Sequence, residues 1–207
     1  MPRLVIATHN AGKMREFEAM RRLMAEEFPF FTSYELLSLT EWGRGAPEET
    51  GDTFLANALL KARAAAALTG LPALADDSGL EVAALGGAPG VYSARYAGES
   101  ANDASNNAKL RMALASQPNP DRRARFVCAL ALARHADDPK PLLAEGYWDG
   151  EILTEPRGAG GFGYDPLFFS TAHRRGAAEL SIEEKLRVSH RTVALHALLN
   201  QLRDQPL

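Results

Sequence analysis

Leu4-Val5-Ile6-Ala7 runs directly into Thr8-His9-Asn10-Ala11-Gly12-Lys13, and Phe17, Met20 and Met24 follow at i, i+3 and i+7. Four consecutive apolar residues bounded by polar ones read as a short buried strand, and the spacing of the second group predicts a helix over residues 13–28. Strand, polar turn and helix together open an α/β sheet. Working outward, the alternation recurs. Asp52 or Thr53 can cap a helix running to about Thr69, which Gly70 stops with Pro72 just beyond. Residues 71–75 then read as a second buried strand, and Asp76-Asp77-Ser78-Gly79 as an acidic turn at its end. Open α/β sheets place ligands at the carboxyl ends of their strands. A third helix is expected over 100–116, a central strand over the continuous apolar run 126–133, and a strand pair around 142–153. Ser181 and Glu184 form an S-x-x-E capping box, and Leu195, Leu198, Leu199 and Leu202 mark one face of a last helix. The predicted class is α/β or α+β with a mixed sheet.

With 207 residues, 46% of them hydrophobic, the chain can bury a sizeable core. No repeat or long linker divides it, so residues 1–207 are expected to form one domain. Lys and Arg number 23 and Asp and Glu 26, for a net charge of −3. No global positive field therefore exists to hold a nucleic-acid backbone or an anionic bilayer. The single cysteine, Cys128, builds neither an intramolecular disulfide nor a multi-cysteine metal site. The apolar run after Met1-Pro2-Arg3 is too short for a secretory signal, and the apolar stretch 64–75 is broken by Thr69, Gly70 and Pro72. A cytoplasmic protein is the expectation.

Four segments carry candidate chemistry. Thr8, His9, Asn10, Ala11, Gly12 and Lys13 lie between a strand and a helix start, where backbone N–H groups and the helix dipole attract phosphate. A P-loop needs glycine at position 7 and serine or threonine at 14, where this chain has Ala7 and Met14. Asp76-Asp77, with Glu48-Glu49 upstream, suits a hard cation such as Mg²⁺, which takes one or two carboxylates and keeps waters for phosphate. Neighbours in an extended strand point to opposite faces, so one aspartate of the pair is expected to face the site. Residues 157–166 place four glycines around Phe162, and Phe162 or Tyr164 could stack on a planar base. Lys185, Ser189, His190 and Arg191 offer donors to phosphate or to a base carbonyl. Cys128, Trp42, Trp148 and the Phe28-Phe30-Phe31 cluster read as packing.

In their order along the chain these segments resemble the inosine triphosphate pyrophosphatases, also called non-standard purine NTP pyrophosphatases. The resemblance rests on residues 7–13, 49–54, 75–80, 86–96 and 160–166, and on Glu184-Lys185 with Ser189-His190-Arg191. It implies two α/β lobes around a long central mixed sheet with a cleft between them, and a homodimer. It also implies hydrolysis of ITP, dITP and XTP to the monophosphate and pyrophosphate with Mg²⁺. Asp77 then binds metal and serves as base or positions water, Glu49 is a further metal ligand, and Lys13 with its loop neutralises phosphate. Ser78 contacts substrate and Phe162 stacks on the purine, within a binding set that includes Gly163, Tyr164, Asp165 and Lys185. His190, Arg191 or nearby backbone donors meet O6. Two positions depart from the pattern: His9 stands where relatives often have glycine, and Ala56 where they commonly have glutamate. The rival functions are a P-loop-type NTPase or kinase cutting the terminal phosphate, and a nucleotide-binding regulator without catalysis.

Overall fold

The structure is a computed structural model that describes residues 1–43, 47 and 49–207. Seven strands form one mixed sheet among these residues, in the order β2-β1-β3-β4-β5-β6-β7. The chain divides into two compact units: Met1–Asp77, Cys128–Gly146 and Arg191–Leu207 make the first, and Ser78–Val127 with Tyr147–His190 the second.

In the first unit β1 (Arg3–Ile6) pairs in parallel with β2 (Glu35–Ser38) and with the start of β3 (Ala73–Val82), Ile6 lying opposite Ser38 and Leu74. Leu4, Val5 and Ile6 are buried, as a parallel strand covered on both faces requires. Helix α1 (Ala11–Leu23) starts two residues before the expected helix because Asn10 caps it, its Oδ1 accepting from the N–H groups of Gly12 and Lys13. It also ends five residues earlier than expected. Arg21 and Arg22 suit its C-terminal dipole, whereas Glu26 and Glu27 do not, and Pro29 opens the short α2 (Pro29–Thr32). Helix α3 (Phe54–Thr69) is capped by Thr53 and buries Phe54, Asn57, Ala58, Lys61, Ala62, Ala65 and Ala66 in one stripe. Two of those seven residues are polar, which calls for buried partners.

The second unit holds α4 (Asp103–Ala115), capped by Asn102, and α5 (Ile182–Leu186), capped by the Ser181–Glu184 box. Its core gathers Leu80, Val82, Leu110, Leu114, Phe126, Trp148, Ile152, Leu167 and Phe168. Each such side chain is worth about 1.5–3 kcal/mol when fully buried. Helix α6 (His190–Asp204) begins at the boundary of the units and buries Leu195, Leu198, Leu199 and Leu202. Among the described residues no helix is long and apolar enough to cross a membrane.

Two expectations are corrected. Asp76-Asp77-Ser78-Gly79 is not a turn but the middle of β3, an unbroken ten-residue strand. Solvated aspartates favour turns, but cations neutralise these two and let the strand continue. The strand pair around 142–153 is one strand, β5 (Leu142–Ile152), an eleven-residue partner of β4 (Arg123–Ala133). Its glycines are not turn residues. A Cβ on Gly150 would lie 2.3 Å from the Phe169 carbonyl oxygen, so glycine there admits the antiparallel β6 (Phe168–Ser170), which pairs in turn with β7 (Arg175–Gly176).

Candidate active site

In the first unit charge converges on β3. Asp76 and Asp77 are both buried, and each faces its own set of cations, as alternation along a strand dictates. Asp76 is ion-paired to Lys13, and its Oδ2 accepts from Arg191 Nε at 3.0 Å and from Cys128 Sγ at 3.2 Å. Burial alone would raise its pKa, but Arg191, Lys13 and Lys61 outweigh burial and hold it well below the usual carboxylate range. The same burial, with Asp76 alongside, pushes the Cys128 thiol well up. Arg191 is fully enclosed and also pairs with Glu16, so its guanidinium stays charged.

Asp77 behaves oppositely. Its Oδ1 accepts from Lys61 Nζ at 2.7 Å, and the same ammonium reaches Glu49 Oε1 at 3.0 Å. Burial raises the Asp77 pKa, Lys61 opposes the rise without cancelling it, and Glu49 adds to it. Burial lowers the pKa of Lys61, and Asp77, Glu49 and Asp76 more than restore it, so Lys61 is a cation. Among the described residues Asp77 Oδ2 is buried and has no hydrogen-bond partner, an acceptor left open beside the Lys61 pair. Sequence reading named Asp77 and Glu49 but missed Lys61. The signal was present: a lysine at i+4 from Asn57, flanked by buried alanines on the inward stripe of α3, must meet a buried carboxylate. Glu48 lies outside the described residues.

The first loop is partly satisfied from within. The Asn10 N–H donates to Thr8 Oγ1, and those of Gly12 and Lys13 to Asn10 Oδ1, while His9 and Ala11 are exposed. What the loop offers an anion is chiefly the Lys13 ammonium, already beside Asp76. This differs from a P-loop, whose backbone N–H groups cradle the phosphates.

In the second unit Phe162, Gly163, Tyr164, Asp165 and Lys185 come together. Lys185 Nζ donates to Asp165 Oδ2 at 2.6 Å and sits 4.8 Å from the centre of the Phe162 ring. The same Asp165 oxygen accepts from the Phe162 N–H at 2.9 Å, and Tyr164 Oη donates to the Ser93 carbonyl at 2.8 Å. Burial raises the Tyr164 pKa, so it is a neutral donor. Gly161, at φ +74°, has no room for a Cβ, which would fall 2.0 Å from Asp165 Oδ2. Ser78 is half-buried on β3. His190 stacks on Phe126, ring centres 4.9 Å apart and planes 13° apart. Although adjacent, His190 and Arg191 therefore serve different units, the first among the aromatics and the second on Asp76.

In the first unit a carboxylate with an open oxygen stands beside a buried lysine, chemistry suited to phosphate, and in the second an aromatic lies beside another lysine, chemistry suited to a planar base. Residues 4–201 match the model of the Ham1 family. The chain belongs to the Ham1 family. Within it, the chain is 55% identical over 201 residues to a dITP/XTP pyrophosphatase of Pseudomonas aeruginosa, covering 97% of this chain and 96% of the relative. It is 50% identical over 204 residues to a dITP/XTP pyrophosphatase of Escherichia coli strain K12, covering 99% and 100%. The solved structure of a HAM1 protein from Coxiella burnetii matches with a TM-score of 0.87 at 46% identity, over 99% of this chain and all of that one. The mixed α/β sheet is thus shared with a Ham1 relative of known structure.

Proposed function

We propose that residues 1–207 act as one pyrophosphatase domain that hydrolyses non-standard purine nucleoside triphosphates, ITP, dITP and XTP, to the monophosphate and pyrophosphate. The observation that carries the reading is end-to-end identity of 50–55% with relatives named for dITP and XTP. The chemistry of the residues supports it. Phosphoryl transfer to water demands charge neutralisation on phosphate oxygens and an oriented nucleophile more than covalent catalysis.

Asp77 Oδ2 takes the proton of the attacking water, and the raised pKa of this buried carboxylate makes it a stronger base than a solvated one. Lys61 fixes Asp77 Oδ1 and Glu49 Oε1, so both carboxylates keep their places. The pair of carboxylates fits Mg²⁺, which would be held through one or two carboxylates and would retain waters, one of them within reach of Asp77 as the attacking nucleophile. Bound there, Mg²⁺ supplies positive charge to the phosphate oxygens. Lys13 meets the remaining triphosphate charge, and Ser78 adds a hydroxyl contact. Phe162 stacks on the base, with Gly163, Tyr164, Asp165 and Lys185 shaping its surroundings. Because Arg191 is committed to two carboxylates, the donor for O6 falls to His190 or to backbone N–H groups. Adenine offers an amino donor where hypoxanthine and xanthine offer O6, so two donors face each other and ATP is rejected. The reading extends to a homodimer acting on the cytoplasmic nucleotide pool.

The test is to incubate the purified protein with ITP and Mg²⁺ and separate the products by ion exchange. IMP and pyrophosphate are expected. IDP and orthophosphate would mean cleavage of the terminal bond and would overturn the proposal in favour of an ordinary NTPase.

A further inference from the structure

Phe162 lies in a glycine-rich loop, yet its backbone is held from both sides. Ahead of it, its own N–H is taken by Asp165 Oδ2. Behind it, the Gly163 N–H donates to Asp103 Oδ2 at 2.6 Å, and the Gly163 carbonyl accepts from Asn107 Nδ2 at 2.7 Å. Asn107 Nδ2 also donates to the Asp103 carbonyl at 2.7 Å, which ties the two clamp residues to each other. They stand at i and i+4 on α4, so they share a helix face. Neither is needed to cap that helix. Asn102 and Ser105 already form a complete reciprocal capping box, with hydrogen bonds of 2.9 Å in both directions. The carboxylate of Asp103 and the amide of Asn107 are thereby left for the loop.

An aromatic ring presents a defined plane only when its Cα–Cβ direction is fixed, because its remaining torsions settle into rotamers about that direction. The clamp fixes that direction. We infer that Asp103 and Asn107 are positioning residues for base selection, acting through Gly163 to set the plane on which Phe162 receives the purine. This rests on the reading of Phe162 as the base platform. Neither residue belongs to the groups assigned above to the phosphate chemistry, Lys13, Glu49, Lys61 and Asp77, and no hydrogen bond joins either of them to those groups among the described residues. The consequence is a change in base-dependent affinity without a change in the chemical step.

The experiment measures kcat and KM for ITP, and the inhibition constant of inorganic tripolyphosphate, which has no base. The variants are Asp103→Ala, Asp103→Asn, Asn107→Ala, Phe162→Ala and the Phe162→Ala/Asn107→Ala double. Asp103→Ala and Asn107→Ala are expected to raise KM for ITP roughly tenfold, with kcat within about twofold and tripolyphosphate inhibition unchanged. Asp103→Asn keeps an acceptor oxygen and should restore KM, although it removes the same helix-end charge as alanine does. In the Phe162→Ala background, Asn107→Ala should add nothing, because the positioned group is gone. If Phe162→Ala raises KM while both clamp variants leave it unchanged, the inference fails and the base-platform reading stands. Weakened tripolyphosphate inhibition in parallel with KM, or full additivity in the double variant, overturns it equally. If Phe162→Ala itself leaves KM unchanged, the base platform is wrong and the inference falls with it. Should Asn107→Ala not fold, the exposed Asp103 pair of variants decides the matter alone.

Discussion

Asp76 and Asp77 share a strand, a residue type and near-complete burial, yet their pKa values move in opposite directions. The cause is the number of cations each meets. Asp76 has Lys13 and Arg191 against it, so its charge stabilises the fold. Asp77 has Lys61, shared with Glu49, and its charge is held at some cost. The two Asn variants should therefore separate stability from turnover. Asp77→Asn should lower kcat by on the order of 10²–10⁴, the usual contribution of a positioned base, while Tm stays near wild type. Asp76→Asn should cost on the order of 3–5 kcal/mol, because it leaves buried cations short of their counter-charge. Thermal melts beside steady-state rates with ITP check both. A normal rate in Asp77→Asn would remove Asp77 from the chemistry.

Two local arrangements are open to test among the elements. Thr53 caps α3 by accepting from the Ala56 N–H at 3.1 Å, but alanine at that third position cannot reach back to the cap. A glutamate there would supply the second half of a capping box, a role that needs no metal. Ala56→Glu should complete the box, adding about 0.5–1 kcal/mol and raising Tm by a few degrees in differential scanning calorimetry.

The link from β4 to β5 is organised by buried Asp138, whose carboxylate accepts from the N–H groups of Arg134 and Lys140, both at 2.9 Å, and from the Arg134 guanidinium. Burial raises its pKa, but these donors win and lower it. A depressed folded pKa means that the unfolded chain binds its proton first as pH falls. The stabilisation is thus complete above the ordinary aspartate range near pH 4 and is lost as pH falls through the lower folded value. The Tm gap between wild type and Asp138→Asn should be constant from about pH 8 to 5 and narrow below about pH 4. A gap that widened in acid would contradict this assignment.

For the molecule as a whole, a ligand that binds only the folded chain stabilises it by mass action, about 2.7 kcal/mol at one hundred times its Kd. For a chain of 207 residues that corresponds to a rise in Tm of roughly 5–10 °C. A non-hydrolysable ITP analogue blocked at the α–β bridge should give this shift with Mg²⁺, and the adenine counterpart at equal concentration should give little. Equal shifts for the two bases would place recognition in the triphosphate alone.

The sequence by itself determined the α/β class, five of the six helices among the described residues to within a few residues of an end, and the central position of β4, and it singled out the aspartate pair, the first loop and the glycine-rich loop as candidates for chemistry. Those signals are local: periodicity, caps, and glycine or charge clusters make themselves felt within a few residues. Only the tertiary structure decided that Asp76 and Asp77 lie inside a strand, that residues 142–152 form a single strand, that Lys61 binds Asp77 and Glu49, and that Arg191 parts from His190 to join Asp76. Each of these depends on partners brought from elsewhere in the chain, 115 residues apart for Arg191 and Asp76. Whether a charge forms a solvated turn or a buried ion pair is settled by the counter-charge the fold delivers, and no window of neighbouring residues contains it.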